Sequence, residues 1–315
     1  METDALPFVF TPDQAYAAGW TPDRLRRGVR HGGLVRLGHR AYATAETVAA
    51  CRVTPEGRLR LRSAAATRST NRPSWASHES ALVLHGIPPG RSVPSRAVVT
   101  VDDKCGVVHR RAAYDLWPAQ LPTWNRTDVA GIPTVSAARA VVDRCRHVEF
   151  PDRLIVGDAA LHLGRTTQAE IRETIDFCTG WAGIRGVRDA AAYFDGKRES
   201  PLESLSYAAF VQHGLPLPAC QVPIVDDWGE LLGIVDFYWR ELGVIGEADG
   251  RLKYRRSRDG RQPSPTTLLD EKYRQELLED HAVVVRWGWS DATVAAGAPL
   301  VRRVEKAFRR AARRV

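Results

Sequence analysis

The chain has little cysteine and no long apolar run. Its five Cys (Cys51, Cys105, Cys145, Cys178 and Cys220) are scattered over 315 residues. No two lie at metal-finger spacing and the count is odd. This argues against a disulfide framework and points to a reducing, cytoplasmic setting. No apolar run approaches the ~18 residues of a membrane span, so no membrane partner is expected. The start, METDALPFVF, lacks the basic region of a secretory signal. Neither an internal repeat nor a long low-complexity tract is present, which excludes solenoid arrays.

Acidic residues are the minority sign. There are 37 Asp and Glu against 45 Lys and Arg, for a formal net charge of +8 and a pI of about 9.5. A basic excess, mostly Arg, suits phosphates and guanine edges. Hydrophobic residues make up 44% and charged residues 26%, as in ordinary soluble globular proteins. The length exceeds what one core usually serves, so several domains are expected. The boundaries are read at 1–52, 53–197 and 198–315.

The first segment carries paired helix starts. Thr11-Pro12-Asp13-Gln14 has an N-cap, a proline at the first helical position and a capping-box Gln. Gly19 ends that helix, and Thr21-Pro22-Asp23 repeats the signal. Alternation around Gly38 predicts a small hairpin over 34–42. Helix, turn, helix and basic hairpin is the layout of a winged helix. Arg24, Arg26, Arg27 and Arg30 crowd its second helix, and Arg36 and Arg40 lie on the hairpin. They are the candidate contacts to double-stranded DNA.

The middle segment predicts a helix over 53–72, another over 77–85, and strands over 96–101 and 106–111. Helices over 135–145, 152–163, 167–178 and 184–194 come after them. Ser77-His78-Glu79-Ser80 has the residue types of a catalytic set, but its spacing and context predict helix capping.

The last segment reads α-β-β-β-α-β, over 200–213, 219–225, 231–239, 242–247, 268–280 and 283–287. A basic helix closes the chain over 298–314. Trp287 and Trp289 are expected to pack the sheet edge. Asp236 falls near the end of the second strand, and Glu247-Ala248-Asp249 ends the third. If those strands pair as a hairpin, three carboxylates meet at one sheet end and call for a cation or a basic partner. Asp236, Glu247 and Asp249 are therefore the candidate Mg²⁺ ligands, for phosphodiester hydrolysis. Glu203 stands just after Ser200-Pro201-Leu202, so it reads equally as a capping-box residue or as a further site carboxylate. Lys253 is a candidate to neutralise a phosphate or orient water, against a surface lysine in a loop. Asp270, Lys272 and Arg274 are outer candidates.

The stretches LRRGVRHGGLVRLGHRAYA, SHESALVLHGIP, GIPTVSAARAVVDRC, SPLES, IVDFYW and GEADG occur in this order. Together they resemble actinobacterial antitoxins of the AbiEi type, from type IV toxin–antitoxin and abortive-infection systems. In this resemblance the C-terminal part is similar to very-short-patch-repair-like domains of the PD-(D/E)XK superfamily. The implied fold class is α+β multidomain: a winged helix-turn-helix, an α/β middle domain and a restriction-endonuclease-like domain. The resemblance implies a phage-defence transcriptional regulator with a nucleotidyltransferase-like toxin as partner. The superfamily pattern puts carboxylates at Glu203, Asp236 and Glu247, but Asp249 stands where it has Lys. Lys253 or Lys272 would have to supply that charge for cleavage. Three functions remain open on the sequence: a DNA-binding regulator, an active Mg²⁺-dependent endonuclease, and a toxin-binding adaptor with no nucleic-acid role.

Overall fold

The computed structural model describes residues 6–104, 106–225, 228–249, 277–278 and 281–314. It is a mixed α+β protein with several sheets. Its internal contacts divide it into two compact units, Met1–Phe194 and Asp195–Val315.

The first unit opens with α1 (Pro12–Ala17) and α2 (Pro22–Arg30). Both start as the sequence predicts. The Thr11 hydroxyl accepts the Gln14 N–H and Gln14 returns a bond, while Thr21 accepts the Arg24 N–H. Strands β1 (Leu34–Gly38) and β2 (Ala41–Thr44) form an antiparallel ribbon whose register slips between Arg36 and Gly38. Leu25 of α2 packs with Phe10, Ala15, Trp20 and Leu34, which fixes the helix against the ribbon.

Helix α3 (Ala45–Arg52) continues directly from the ribbon and was not anticipated. The predicted helix over 53–72 is α4 (Pro55–Ser69), capped by Thr54. Strand β3 (Ser74–Ala76) and helix α5 (His78–His85) come next, then β4 (Ala97–Asp102). The predicted strand over 106–111 shrinks to β5 (His109–Arg110). Strands β6 (Tyr114–Ala119), β7 (Arg126–Val129) and β8 (Ile132–Val135) complete a six-stranded sheet, ordered β5-β6-β4-β3-β8-β7. Helices α6 (Ala137–Cys145), α7 (Phe150–His162), α8 (Gln168–Phe177) and α9 (Ile184–Ala191) end the unit. One core joins Val9, Ala41, Ala43 and Val48 to Leu61, Ala64, Ala76 and Ile132. Residues 8–51 therefore share a core with α4, β3 and β8.

The second unit begins with α10 (Pro201–Gln212). Strands β9 (Ala219–Val225), β10 (Leu231–Trp239), β11 (Val244–Ala248) and β12 (Val283–Trp287) form a sheet ordered β12-β11-β10-β9. The first pairings are antiparallel and β11–β12 is parallel. Helices α11 (Trp289–Thr293) and α12 (Ala298–Ala311) end the unit. The predicted helix over 268–280 lies almost wholly outside the described residues. Phe210 stands edge-on to Phe237, Trp239 and Trp287, and Phe308 of α12 stands edge-on to Trp239. Aromatic pairs in such geometry add ~0.5–1.5 kcal/mol each beyond area burial. Trp287 packs inward from the edge strand as expected, but Trp289 is 39% exposed.

Candidate functional site

Two groups of expected residues can be followed in space, one in each unit. In the first unit α2 presents Arg26, Arg27 and Arg30 to solvent. Arg26 is held by an exposed ion pair to Asp23 one turn away. Arg24 differs from the expectation. Its guanidinium lies over the Trp20 ring, 4.2 Å from the centroid, so it fastens α2 to the preceding loop. Arg36 is exposed on β1, and its Nε donates to the Gly38 carbonyl at 3.2 Å. Arg40 sits at the ribbon turn with φ +59 and pairs with Asp13.

Three arginines escaped the sequence reading. Arg52 of α3 and Arg58 and Arg62 of α4 line, with Arg36, a shallow cavity of about 300 Å³. Arg58 Nη1 donates to the Arg52 carbonyl at 2.8 Å, and Arg62 Nη1 to the Ser95 carbonyl at 2.6 Å. The i, i+4 spacing of Arg58 and Arg62 was the available signal. That Arg36 joins them depends on how β1 packs on α4.

The second unit gathers carboxylates at the junction of α10, β9, β10 and β11. The β10–β11 register pairs Phe237 with Gly246, so one further step sets Asp236 across from Glu247. Asp236 Oδ2 accepts the Ala248 N–H at 2.7 Å. Glu203 is only 5% exposed. It does more than cap. Its carboxylate accepts the Ser200 hydroxyl at 2.6 Å, the Glu199 N–H at 3.0 Å and Gln221 Nε2 at 2.9 Å. The reciprocal bond of a capping box would go to the Ser200 N–H, whereas here the Glu199 N–H takes it.

Gln221 is the residue that the sequence reading missed. The β9–β10 register is continuous on both sides of it, placing it opposite Asp236. Its φ is +51, a left-handed conformation inside a strand. For a residue other than Gly this costs ~1–3 kcal/mol. The side-chain amide bridges Glu203 and Asp236. No local pattern announces such a residue.

The electrostatics arise from this crowding. Burial, then the charges of Glu203 and Glu247, push the Asp236 carboxyl up to about 6, while the Ala248 N–H and Gln221 oppose the rise. Glu247 is balanced by Arg286 across the parallel pair, with Nε to Oε2 at 2.7 Å. Arg286 was not anticipated either. The Asp249 N–H donates to the Trp287 carbonyl at 2.8 Å and extends the β11–β12 ladder. Lys253, Asp270, Lys272 and Arg274 lie outside the described residues.

Hard carboxylate oxygens are the right donors for Mg²⁺. As placed, they do not form a ready cation cradle: Glu203 is held by three donors and Glu247 by a guanidinium. Among the described residues, no three His, Cys, Asp or Glu side chains come together at metal-holding spacing. The arrangement provides one carboxyl poised near neutrality within a hydrogen-bonded acidic cluster.

Ser77, expected as a helix cap, caps nothing with its side chain. Its Oγ lies 3.1 Å from His78 Nδ1 instead, and Ser80 Oγ accepts the Val98 N–H at 2.8 Å. No helix among the described residues is long and apolar enough to cross a membrane.

No family model matches the chain. It is similar to a protein of Mycobacterium tuberculosis strain H37Rv, described only as uncharacterised, at 28% identity over 261 residues. The alignment covers 82% of this chain and 87% of the relative. A protein of strain CDC 1551 / Oshkosh, described in the same way, matches to the same extent.

Proposed function

We propose that the protein is a DNA-binding transcriptional regulator of antitoxin-like type, with an N-terminal winged helix and a C-terminal domain of PD-(D/E)XK nuclease fold. The observation that carries this reading is the solvent-facing set Arg26, Arg27 and Arg30 on a short capped helix, with an arginine-bearing ribbon after it. A helix of this kind enters the major groove, and ribbon arginines contact phosphates. The shelf of Arg52, Arg58 and Arg62 beside Arg36 offers further backbone contacts. Arg24, stacked on Trp20, positions the helix.

A gel-shift titration with the DNA upstream of the protein's own gene tests the reading. Binding should weaken steeply with salt, with a log–log slope of ~0.9 per phosphate contacted. The double variant Arg26→Ala, Arg27→Ala should lose at least tenfold in affinity and flatten that slope. Binding that ignores both salt and the double variant would refute the proposal.

The second reading is a Mg²⁺-dependent DNA endonuclease. It is favoured by the crowding of Glu203 and Glu247 on Asp236, which a divalent cation would relieve. Cleavage of supercoiled DNA in Mg²⁺ or Mn²⁺ that vanishes in Asp236→Ala would establish it. Intact DNA under both metals, with specific binding retained, would leave the regulator alone.

A further inference from the structure

The first unit holds a second constellation that the DNA-binding reading does not use. A cavity of about 420 Å³ has His78, Arg139 and Asp143 in its lining, with exposures of 5%, 0% and 1%. Its volume is in the range of small-molecule sites. Trp117, Arg146 and Trp181 also line it, and exposed Lys104 contributes to the rim.

The buried polar atoms are incompletely satisfied. Arg139 Nε donates to Asp143 Oδ2 at 2.8 Å and Nη1 to the Gln120 carbonyl at 3.1 Å. Among the described residues, Arg139 Nη2 is buried with no hydrogen-bond partner, and so is Asp143 Oδ1, which lies 3.7 Å from Arg146 Nη1. His78 engages Ser77 through Nδ1, while its buried Nε2 has no hydrogen-bond partner among the described residues. Buried polar groups in folded proteins are nearly always hydrogen-bonded, so orphans converging on one cavity call for an occupant. His78 also holds φ +51, a left-handed conformation at the start of α5. Strain of this kind clusters at ligand sites.

The lining defines the ligand. Arg139, Arg146 and Lys104 outnumber the single carboxylate of Asp143, so the cavity favours an anion. A guanidinium with a free edge suits the paired oxygens of a phosphate or carboxylate. Two tryptophans, Trp117 and Trp181, contribute to the remaining walls. The Trp181 ring carries Arg139 at 4.8 Å and Arg146 at 4.9 Å from its centroid, and Trp117 packs 4.8 Å from His78. We propose that this cavity binds a small anion bearing a phosphate or carboxylate on a flat ring. Arg139 Nη2 takes the anionic oxygens, His78 Nε2 supplies a further hydrogen bond, and the tryptophans flank the ring.

Isothermal titration calorimetry of the full chain tests this with adenosine 5′-monophosphate, salicylate, uncharged adenosine and inorganic phosphate. Saturable binding of adenosine monophosphate or salicylate is expected, at least tenfold tighter than that of adenosine or of phosphate alone. Adenosine monophosphate binding with salicylate silent assigns the phosphate source, and the reverse assigns the carboxylate. Arg139→Met should remove the heat of binding. Because Arg139 is fully buried, Lys104→Glu at the exposed rim is the second variant; it should weaken binding severalfold with the thermal melt unchanged. Binding of neither anion, affinity equal to that of adenosine or phosphate, or affinity unmoved by both variants overturns the proposal.

Discussion

Gly246 of β11 has room for no side chain, and replacing it by Ala tests the packing behind the carboxylate cluster. An added Cβ would stand 2.6 Å from Trp287 Cη2, 2.9 Å from Trp287 Cζ3 and 3.0 Å from Trp239 Cζ3. Neither ring can swing away. Trp287 Nε1 donates to Ser206 Oγ at 2.8 Å and Trp239 Nε1 to the Pro216 carbonyl at 2.7 Å. Phe210 and Phe237 hem them in further. Removing Gly from a strand gains ~0.5–1 kcal/mol of backbone entropy, whereas overpacking a tight core costs ~1–3 kcal/mol. The clash wins, and Gly246→Ala should destabilise the second unit by about 1–2 kcal/mol. A single melting curve mixes the unfolding of both units and does not read the second by itself. Hydrogen exchange of peptides covering β10 to β12 is the right readout, and protection should fall there. Gly33→Ala is the control: its Cβ would meet only the Gly28 carbonyl, at 3.8 Å. Unchanged or increased protection in Gly246→Ala would refute the reasoning.

Further expectations concern titration and the arginine shelf. The Asp236 carboxyl is raised from 3.8 to about 6. Its contribution is therefore full at low pH and lost as pH rises through 6. Asp236→Asn should stabilise the second unit at pH 7 by at most about 3 kcal/mol. Wild type and variant should converge near pH 4 in urea titrations, and a constant difference across pH would contradict this. Burial pushes His78 in the opposite sense, from 6.5 down to about 4. That stability is present above pH 6.5 and lost as pH falls toward 4, so His78→Asn, which tolerates the left-handed backbone, should flatten the acid limb of the first unit. Equal acid limbs would argue against a buried neutral imidazole. Arg62→Ala should weaken DNA binding severalfold while leaving sequence preference intact, measured by gel shift on specific and scrambled duplexes. A changed preference would move Arg62 from backbone to base contact.

What could be read in advance depended on the range of the cause. Thr11, Thr21 and Ser200 act within three residues of themselves, so the helix starts they cap were visible as strings of letters. Strand β10 was visible because β-branched and aromatic residues cluster there. Strands β3 and β7 were not, because three or four residues carry no period; the partners of β3 also lie far along the chain, whereas β7 pairs with the adjacent β8. The Ser77 cap failed for a local reason: its hydroxyl pairs with the imidazole of the neighbouring His78 and not with a helix amide.

By itself the sequence determined the α+β character, the helix starts at Thr11, Thr21 and Ser200, strands β9 to β12, the acidic positions Glu203, Asp236 and Glu247, and the arginines of α2. Each comes from local propensity, spacing or charge. Tertiary structure alone decided that Gln221 bridges Glu203 and Asp236 and that Arg286 neutralises Glu247. It alone brought His78 and Arg139 to one cavity. Those outcomes depend on strand register, on a left-handed residue that register must hold, and on partners tens of residues apart. Only the packed fold supplies the free energy to hold such partners together.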